Sequence, residues 1–545
     1  MATAVADADD NGPLKPGTKV SRAGWYALFL VSSAQAMSLL DRQILAILAP
    51  SIKADLGVGD TEMGLLYGTV FSLFYALFSL PLGRLVDGWI RTRLLAICIA
   101  AWSFFAGLSA FAGGFALLAI SRLGVGIGEG ASQPAANSII FDEFPRDKRG
   151  TAMAALGVAT ALGLGLSMTL GGVVAHEWDL AYPDGAWGFS GWQAAFLIAA
   201  LPGFLLAWAI YRLKEPTRGQ MDGIVSPPDP HPFKSSAAVL GAVTPGANWF
   251  YLWGRNASAR QWTTNLVGLG AIVAFCVVMT GVTQDFSPRP ASQLLGLSFD
   301  AHMLQWFVVG FGAFVILNLF QSLKLTDRPT FNVVTSPSVL LLIVVAGLQT
   351  SINYGVMGST PSFLNRAYGL SLAETGVQFG LLAAALGLVG PVIAGPLSDW
   401  LTKRMGGRGR VWLTLFSLGL SPLFGIWTYN ADSPGEFYFR FVFYSIILTL
   451  WLPPLYSLIY DQVLPRMRGM TSSVFIIITT ILGLGMGPYF VGIVSDRNGG
   501  DLGQAIISIN VVTPVIVVIL LYLLTRINRD ESKILERARA GGEPV

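Results

Sequence analysis

Residues 83–93 read Gly83-Arg84-Leu85-Val86-Asp87-Gly88-Trp89-Ile90-Arg91-Thr92-Arg93, and residues 395–404 read Gly395-Pro396-Leu397-Ser398-Asp399-Trp400-Leu401-Thr402-Lys403-Arg404. Each sets Gly four residues before Asp, follows the Asp with a basic cluster, and closes a long apolar run. The loops ahead of those runs also match, Asp60-Thr61-Glu62-Met63-Gly64 against Ser371-Leu372-Ala373-Glu374-Thr375-Gly376. One pattern used on both sides of the chain's middle predicts a parallel internal repeat. Membrane proteins built from such repeats hold their ligand at the repeat interface, near the midplane.

Composition agrees with a membrane setting. The chain has 545 residues, 53% apolar and 12% charged, where a soluble domain carries about 25% charged residues. Mean hydropathy is +0.59. Apolar blocks such as 96–120, 339–356 and 511–524 recur, and about 20 such residues cross the hydrocarbon core as a helix. Alternating strands of a barrel are absent from the pattern, which leaves helices as the spanning structure. The 62 glycines suit close packing of membrane helices. Cys98 and Cys276 lie in apolar runs and have neither metal spacing nor a disulfide framework.

The apolar runs predict spans at 24–50, 62–86, 94–113, 115–141, 150–175 and 192–213, two more at 262–283 and 303–323, and six at 337–364, 372–400, 411–429, 436–460, 470–494 and 503–526. The loops test that count through the positive-inside rule. Arg91, Arg93, Arg146, Lys148, Arg149, Arg212, Lys214, Lys403, Arg404, Arg466 and Arg468 all fall on one face. Asp55, Asp60, Glu62, Glu177, Asp179, Asp432 and Glu436 fall on the other. The expected organisation is a cytoplasmic tail (1–23), a six-helix bundle (24–213), a cytoplasmic linker carrying a two-helix hairpin (214–336), a second six-helix bundle (337–526) and a cytoplasmic tail (527–545). The expected location is the plasma membrane, multi-pass, with both termini inside.

The Gly-x-x-x-Asp segment with its basic residues resembles the signature loop of the major facilitator superfamily, with Gly88 where a basic residue is usual and Ile90 where Gly is usual. Within that superfamily the chain resembles the Spinster family of lipid transporters. The carrying residues are Leu40-Asp41-Arg42-Gln43, Ser121 to Ala131 (Ser-Arg-Leu-Gly-Val-Gly-Ile-Gly-Glu-Gly-Ala), Phe144 to Gly150, and the glycine-rich stretch from Gly157 to Gly172. The resemblance implies an all-α polytopic fold of two six-helix bundles. The pair at 262–323 is additional to that pattern and resembles the hairpin inserted in some other facilitators.

Ionisable residues inside spans are costly and point to function. Asp41, Arg42, Arg122 and Glu129 stand out. At about 1.5 Å per residue, Asp41 lies roughly 6 Å outward of its helix centre, Glu129 near the centre of its own, and Arg122 roughly 10 Å farther out. A carboxylate whose burial and distance from Arg change between two states changes its proton affinity, so Asp41 and Glu129 are candidates for proton coupling. Arg keeps its charge, and Arg42 and Arg122 are candidate anion clamps or charge partners. The rival reading is a fixed ion-pair network, Asp41 with Arg122 and Glu129 with Arg42. Asn353, Tyr354, Trp451 and Tyr456 offer polar and aromatic surface from the second half, where single aromatics are also ordinary packing.

The resemblance implies an inner gate at Asp87, Arg91 and Arg93, with Asp87 docking on the N-terminus of the helix that begins at Met470 and Thr471, and with Asp142 and Arg149 as partners. A helix N-terminus attracts an anion; the Arg residues also serve topology alone. The glycines between Gly157 and Gly172 suit sliding contact with the tenth span, and the Pro typical of antiporters is missing there.

His176, His231 and His302 are isolated and lie in or beside loops, and no phosphate loop, zinc spacing or nucleophile motif is present. The expectation is a non-enzymatic transporter without cofactor, metal or nucleic-acid partner, monomeric, carrying an amphipathic lipid such as a lysophospholipid or sphingoid phosphate together with protons. The alternatives are a carrier of small organic anions and a non-transporting sensor or scaffold.

Overall fold

A computed structural model describes residues 20–144, 149–183, 185–217, 229–289, 292–294, 297–464 and 467–543. Among them, fourteen helices are long and apolar enough to cross a membrane. The first six are α1 (Arg22–Leu56), α2 (Asp60–Val86), α3 (Arg91–Phe111), α4 (Phe115–Ile140), α5 (Arg149–Ala181) and α6 (Gly191–Tyr211). Two short helices follow, α7 (Pro232–Val243) and α8 (Ala247–Gly254). The hairpin is α9 (Ala259–Phe286) and α10 (Ala301–Thr326), joined through a two-stranded ribbon of β1 (Ser292–Leu294) and β2 (Leu297–Phe299). After α11 (Arg328–Val334) come α12 (Pro337–Tyr368), α13 (Leu372–Met405), α14 (Gly407–Tyr429), α15 (Pro434–Asp461), α16 (Met470–Arg497) and α17 (Leu502–Ser532), then α18 (Ile534–Ala540). The fold is two six-helix bundles with two additional spans inserted between them.

Local chemistry sets the helix ends. Ser21 accepts from the Gly24 amide at 2.8 Å, and Gly57 stops α1 at φ +66°, a conformation glycine adopts without steric cost. Ser371 and Glu374 form the reciprocal cap that starts α13. Asp501 caps α17 on the Gln504 amide at 2.9 Å.

Two departures from the sequence reading follow from tertiary partners. The stretch after α6 holds α7 and α8 because Ser236 donates to Pro81 O at 2.7 Å and Arg84 pairs with Asp229 at 3.3 Å, fixing α7 against α2. His302 is not isolated: it is buried, with Nδ1 2.6 Å from the Tyr489 hydroxyl and Nε2 2.8 Å from Ser287 O.

In lipid, small residues and hydrogen bonds hold helices together rather than a hydrophobic drive. The α5–α13 seam between the halves shows this. A Cβ on Gly165 would sit 2.7 Å from that of Ala384, a Cβ on Gly380 would sit 2.7 Å from that of Met168, and Thr169 Oγ donates to Gly376 O at 3.1 Å. The π-helical turns Leu65–Thr69 of α2 and Thr479–Gly485 of α16 pack on each other across the same interface; such turns are rare and cluster at functional sites.

Candidate substrate site

Eight spans, α1, α2, α4 and α5 with α12, α13, α15 and α16, enclose a cavity of about 690 Å³ between the halves. From the first half it is lined by Arg42, Gln43, Tyr75, Gln133, Asn137 and Thr160, and from the second by Asn353, Tyr354, Trp451, Tyr456, Thr479 and Thr480 among others. Gln133, Asn137, Tyr460 and Ser472 carry the lining toward the face of the basic loops.

The opposite, acidic face is shut. Arg366 at the end of α12 grips Asp60 of α2 with two bonds of 2.6 and 2.9 Å, Lys53 pairs with the same carboxylate, and Ser495 Oγ donates to it at 2.9 Å. Thr61 N donates to Asp496 of α16 at 3.0 Å. Below this cluster the Tyr67 hydroxyl donates to Gln43 Oε1, forming a ceiling over the cavity. The molecule is closed on the acidic face and hollow toward the basic one.

Arg42 is the charged residue of the described lining. It pairs with Glu129, whose carboxylate is buried, and the Ser38 hydroxyl donates to the same oxygen at 2.8 Å. The Phe71 and Tyr75 rings lie 4.7 and 5.0 Å from the guanidinium carbon, a cation–π setting that leaves donors free to turn to a ligand. Glycines in α4 permit this approach: a Cβ on Gly128 would fall 2.8 Å from that of Trp102, and one on Gly126 2.6 Å from Phe71 O. The sequence Gly-Ile-Gly-Glu thus lets α4 press against α2 and α3 and delivers Glu129 to Arg42.

Asp41 and Arg122 sit apart from the cavity. Asp41 is buried, with the Trp102 indole and Arg122 near its carboxylate, and among the described residues neither oxygen makes a hydrogen bond of ordinary geometry. Arg122 donates to the main-chain oxygen of Asp41 and to Ser109 Oγ, each at 3.0 Å, and lies 5.2 Å over the Phe196 ring. Of the rival ion-pair network, Glu129 with Arg42 is formed, whereas Asp41 with Arg122 is replaced by a bond to the backbone, because Arg122 reaches α1 at its main chain. Of the second-half residues singled out in the sequence, Asn353, Tyr354, Trp451 and Tyr456 all line the cavity.

On the basic face, buried Arg91 binds Asp142, Glu215 Oε1 at 2.7 Å, Ser138 Oγ at 2.7 Å and Pro216 O at 2.8 Å. These partners all belong to the first half or the segment that leaves it. Arg93 is exposed, 6.0 Å from the Tyr211 ring centre. The side chains of Asp87 and Arg149 lie outside the described residues. Outside the membrane, Asp229 is held below the usual carboxylate range by the His231 amide and the Ser235 hydroxyl, with a smaller contribution from Arg84.

Sequence reasoning missed Gln43, Tyr67, Gln133 and Asn137, whose uncharged polar side chains give no distinct signal inside a helix. It also missed the bonds across the acidic face, Asp60 with Arg366 and Ser495 and Asp496 with Thr61, although the matched loops around Asp60 and Glu374 mark where the halves meet.

The profile of the Major Facilitator Superfamily matches residues 31–334 and 320–488. An MFS-type efflux pump of Mycolicibacterium smegmatis is 25% identical over 91% of this chain and 88% of its own length. The probable L-galactonate transporter of Escherichia coli is 28% identical over 38% of this chain and 43% of its own. Protein spinster of Drosophila melanogaster is 28% identical over 38% of this chain and 32% of its own. A solved bacterial homologue of the human lysosomal transporter Spinster, inward-facing and unoccupied, superposes with TM-score 0.61 at 20% identity, over 97% of this chain and 100% of that one. At that identity the likeness is one of fold.

Proposed function

Since the chain belongs to the Major Facilitator Superfamily, whose members are transporters rather than enzymes, we propose that it moves a small organic anion across the membrane by alternating access, driven by protons. The observation that carries this reading is Arg42 on the cavity wall, paired with Glu129 buried behind it. A carboxylate ligand and Glu129 compete for one guanidinium. A proton on Glu129 releases Arg42 to the ligand, and loss of that proton returns Arg42 to Glu129. Tyr75, Gln133, Asn137 and Asn353 offer hydrogen bonds to hydroxyl groups on the rest of the molecule. The volume suits such a ligand, since small-molecule sites occupy about 300–1,000 Å³. The sugar acid for which the E. coli relative is named fits this chemistry.

In this reading Asp41 is a second protonation site behind α1, and Arg122 holds α4 to α1 rather than touching the ligand. Arg91, Arg93 and Asp142 brace the first half at the basic face, and Asp87 and Arg149 complete a gate there. The basic face is cytoplasmic, by the loop asymmetry, and the location is the plasma membrane.

Leu452, Phe475, Ile476 and Leu484 on the second-half wall favour a second reading, an amphipathic lipid with its charged head at Arg42 and its chain along α15 and α16. Proteoliposomes separate the two. Uptake of a labelled uronate that an inward proton gradient accelerates supports the first. Movement of labelled lysophosphatidate, with no uronate uptake, replaces it with the second. No gradient-dependent flux of either overturns both.

A further inference from the structure

The hairpin inserted between the halves touches both: toward the basic face Asn318 of α10 donates to Val243 O of α7 at 3.1 Å, while its acidic-face end is bonded to the second half. Gln305 Nε2 on α10 donates to Gly485 O on α16 at 3.3 Å, and His302 meets Tyr489. The exit of α9 is tied to the same helix: Arg497 donates to Phe286 O at 3.2 Å and stacks 4.1 Å over its ring. His302 also holds Ser287 O, and Gln284 Nε2 donates to Arg289 O at 3.1 Å. The loop so braced presents one cation, Arg289, to the acidic face. Its guanidinium contacts Glu62 of α2 at 3.0 Å and Asp496 of α16, and the three side chains are mostly shielded from solvent.

Those two acids belong to different halves. Each already has work at the junction, since Glu62 accepts from the Gly59 amide at 2.9 Å and Asp496 from Thr61. Without a cation between them, two carboxylates meeting where α2 touches α16 would repel. We propose that the hairpin is a third component of the acidic-face gate: Arg289 clamps Glu62 to Asp496 when the halves close on that face and leaves Glu62 when they part. Because the acidic-face end of the hairpin, at Phe286, His302 and Gln305, is bonded to α16, opening on that face carries Arg289 away with the second half. The proposal rests on the alternating-access reading.

Spin labels at Phe111→Cys on α3 and Phe439→Cys on α15, both exposed, report the separation of the halves on the acidic face in the full chain. In Arg289→Ala the closed-to-open ratio is expected to fall about fivefold, the upper range for a partly shielded pair, and Arg289→Lys is expected to recover part of it. An unchanged distance distribution with a lowered melting temperature would assign Arg289 to loop folding alone and overturn the proposal. A wild-type protein that keeps one distance at every pH and ligand condition would remove alternating access itself, and the clamp with it.

Discussion

The Arg42 guanidinium, on the wall of the cavity, meets the buried Glu129 carboxylate across the α1–α4 contact, with Ser38 on the same carboxylate oxygen. If a carboxylate ligand competes with Glu129 for that guanidinium, as proposed, ligand affinity is expected to rise as pH falls in the wild type. Glu129→Gln, which cannot form the ion pair, is expected to bind the anion with the same affinity at pH 5 and pH 8. Arg42→Ala should lose about tenfold or more in affinity, as a charged hydrogen bond contributes about 1.5–3 kcal/mol. Equilibrium binding of a uronate at the two pH values measures both. A pH slope in Glu129→Gln equal to the wild type's sinks the competition scheme.

Asp41 is buried beside the backbone bond of Arg122. If Asp41 and Glu129 together take up the driving protons, Asp41→Asn/Glu129→Gln holds the acid-pH conformation at all pH values, because a pH-driven shift needs different proton affinities in the two states. Distance distributions across the acidic face at two pH values test this. A double mutant that responds to pH like the wild type makes all four intramembrane charges structural.

The α5–α13 seam closes on glycine. Gly380→Val adds methyl groups where a Cβ already falls 2.7 Å from that of Met168. Overpacking of this kind costs about 1–3 kcal/mol, and here it falls on the state in which the halves are shut on the acidic face. The expected result is a folded protein shifted toward opening on that face, seen in the same distances. A wild-type distribution would mean that the seam yields elsewhere.

Arg91 holds two acids and two main-chain carbonyls in a buried setting. Removing one partner of a buried pair costs about 3–5 kcal/mol. Arg91→Ala should lower thermal stability strongly, while the uronate affinity of whatever folds stays near the wild type's. A stable Arg91→Ala protein that fails to close on the basic face would instead place Arg91 in the gate.

Asp229 braces the start of α7, accepting from the His231 amide and the Ser235 hydroxyl. Its carboxyl is depressed in the fold, so its stabilisation is fully present at neutral pH and fades as pH falls below the ordinary carboxylate range. Hydrogen exchange in α7, corrected for intrinsic rates, should speed up there. Asp229→Asn should exchange faster already at pH 7, and equal protection in both proteins would remove this role of Asp229.

The architecture was legible because bilayer physics is strict. Fourteen apolar runs and loops of alternating sign leave little freedom, and the hairpin stood out as a pair beyond the repeat. Glu129 with Arg42 was legible for the same reason, since charge at membrane depth is rare. Gln43 and Tyr67 were not, because an amide or a phenol inside an apolar run does not reveal whether it bonds its own helix or faces a cavity. Arg289 was the least visible. It is one cation in an acidic-face loop, and Glu62 lies 227 residues away in the chain.

The hairpin also carries an amide cluster at membrane depth. Asn265 Nδ2 on α9 donates to Asn318 at 2.8 Å and Gln321 at 2.7 Å on α10, while Trp249 and Asn248 of α8 donate to Asn265 Oδ1 at 2.8 and 3.3 Å. A buried amide without partners is expensive in hydrocarbon. During synthesis α8 emerges first, α9 next and α10 last. Asn265 has its acceptor answered from α8 and its donors answered from α10. Full pairing of this one amide thus makes α8, α9 and α10 a single unit, complete only when both legs of the hairpin are in place.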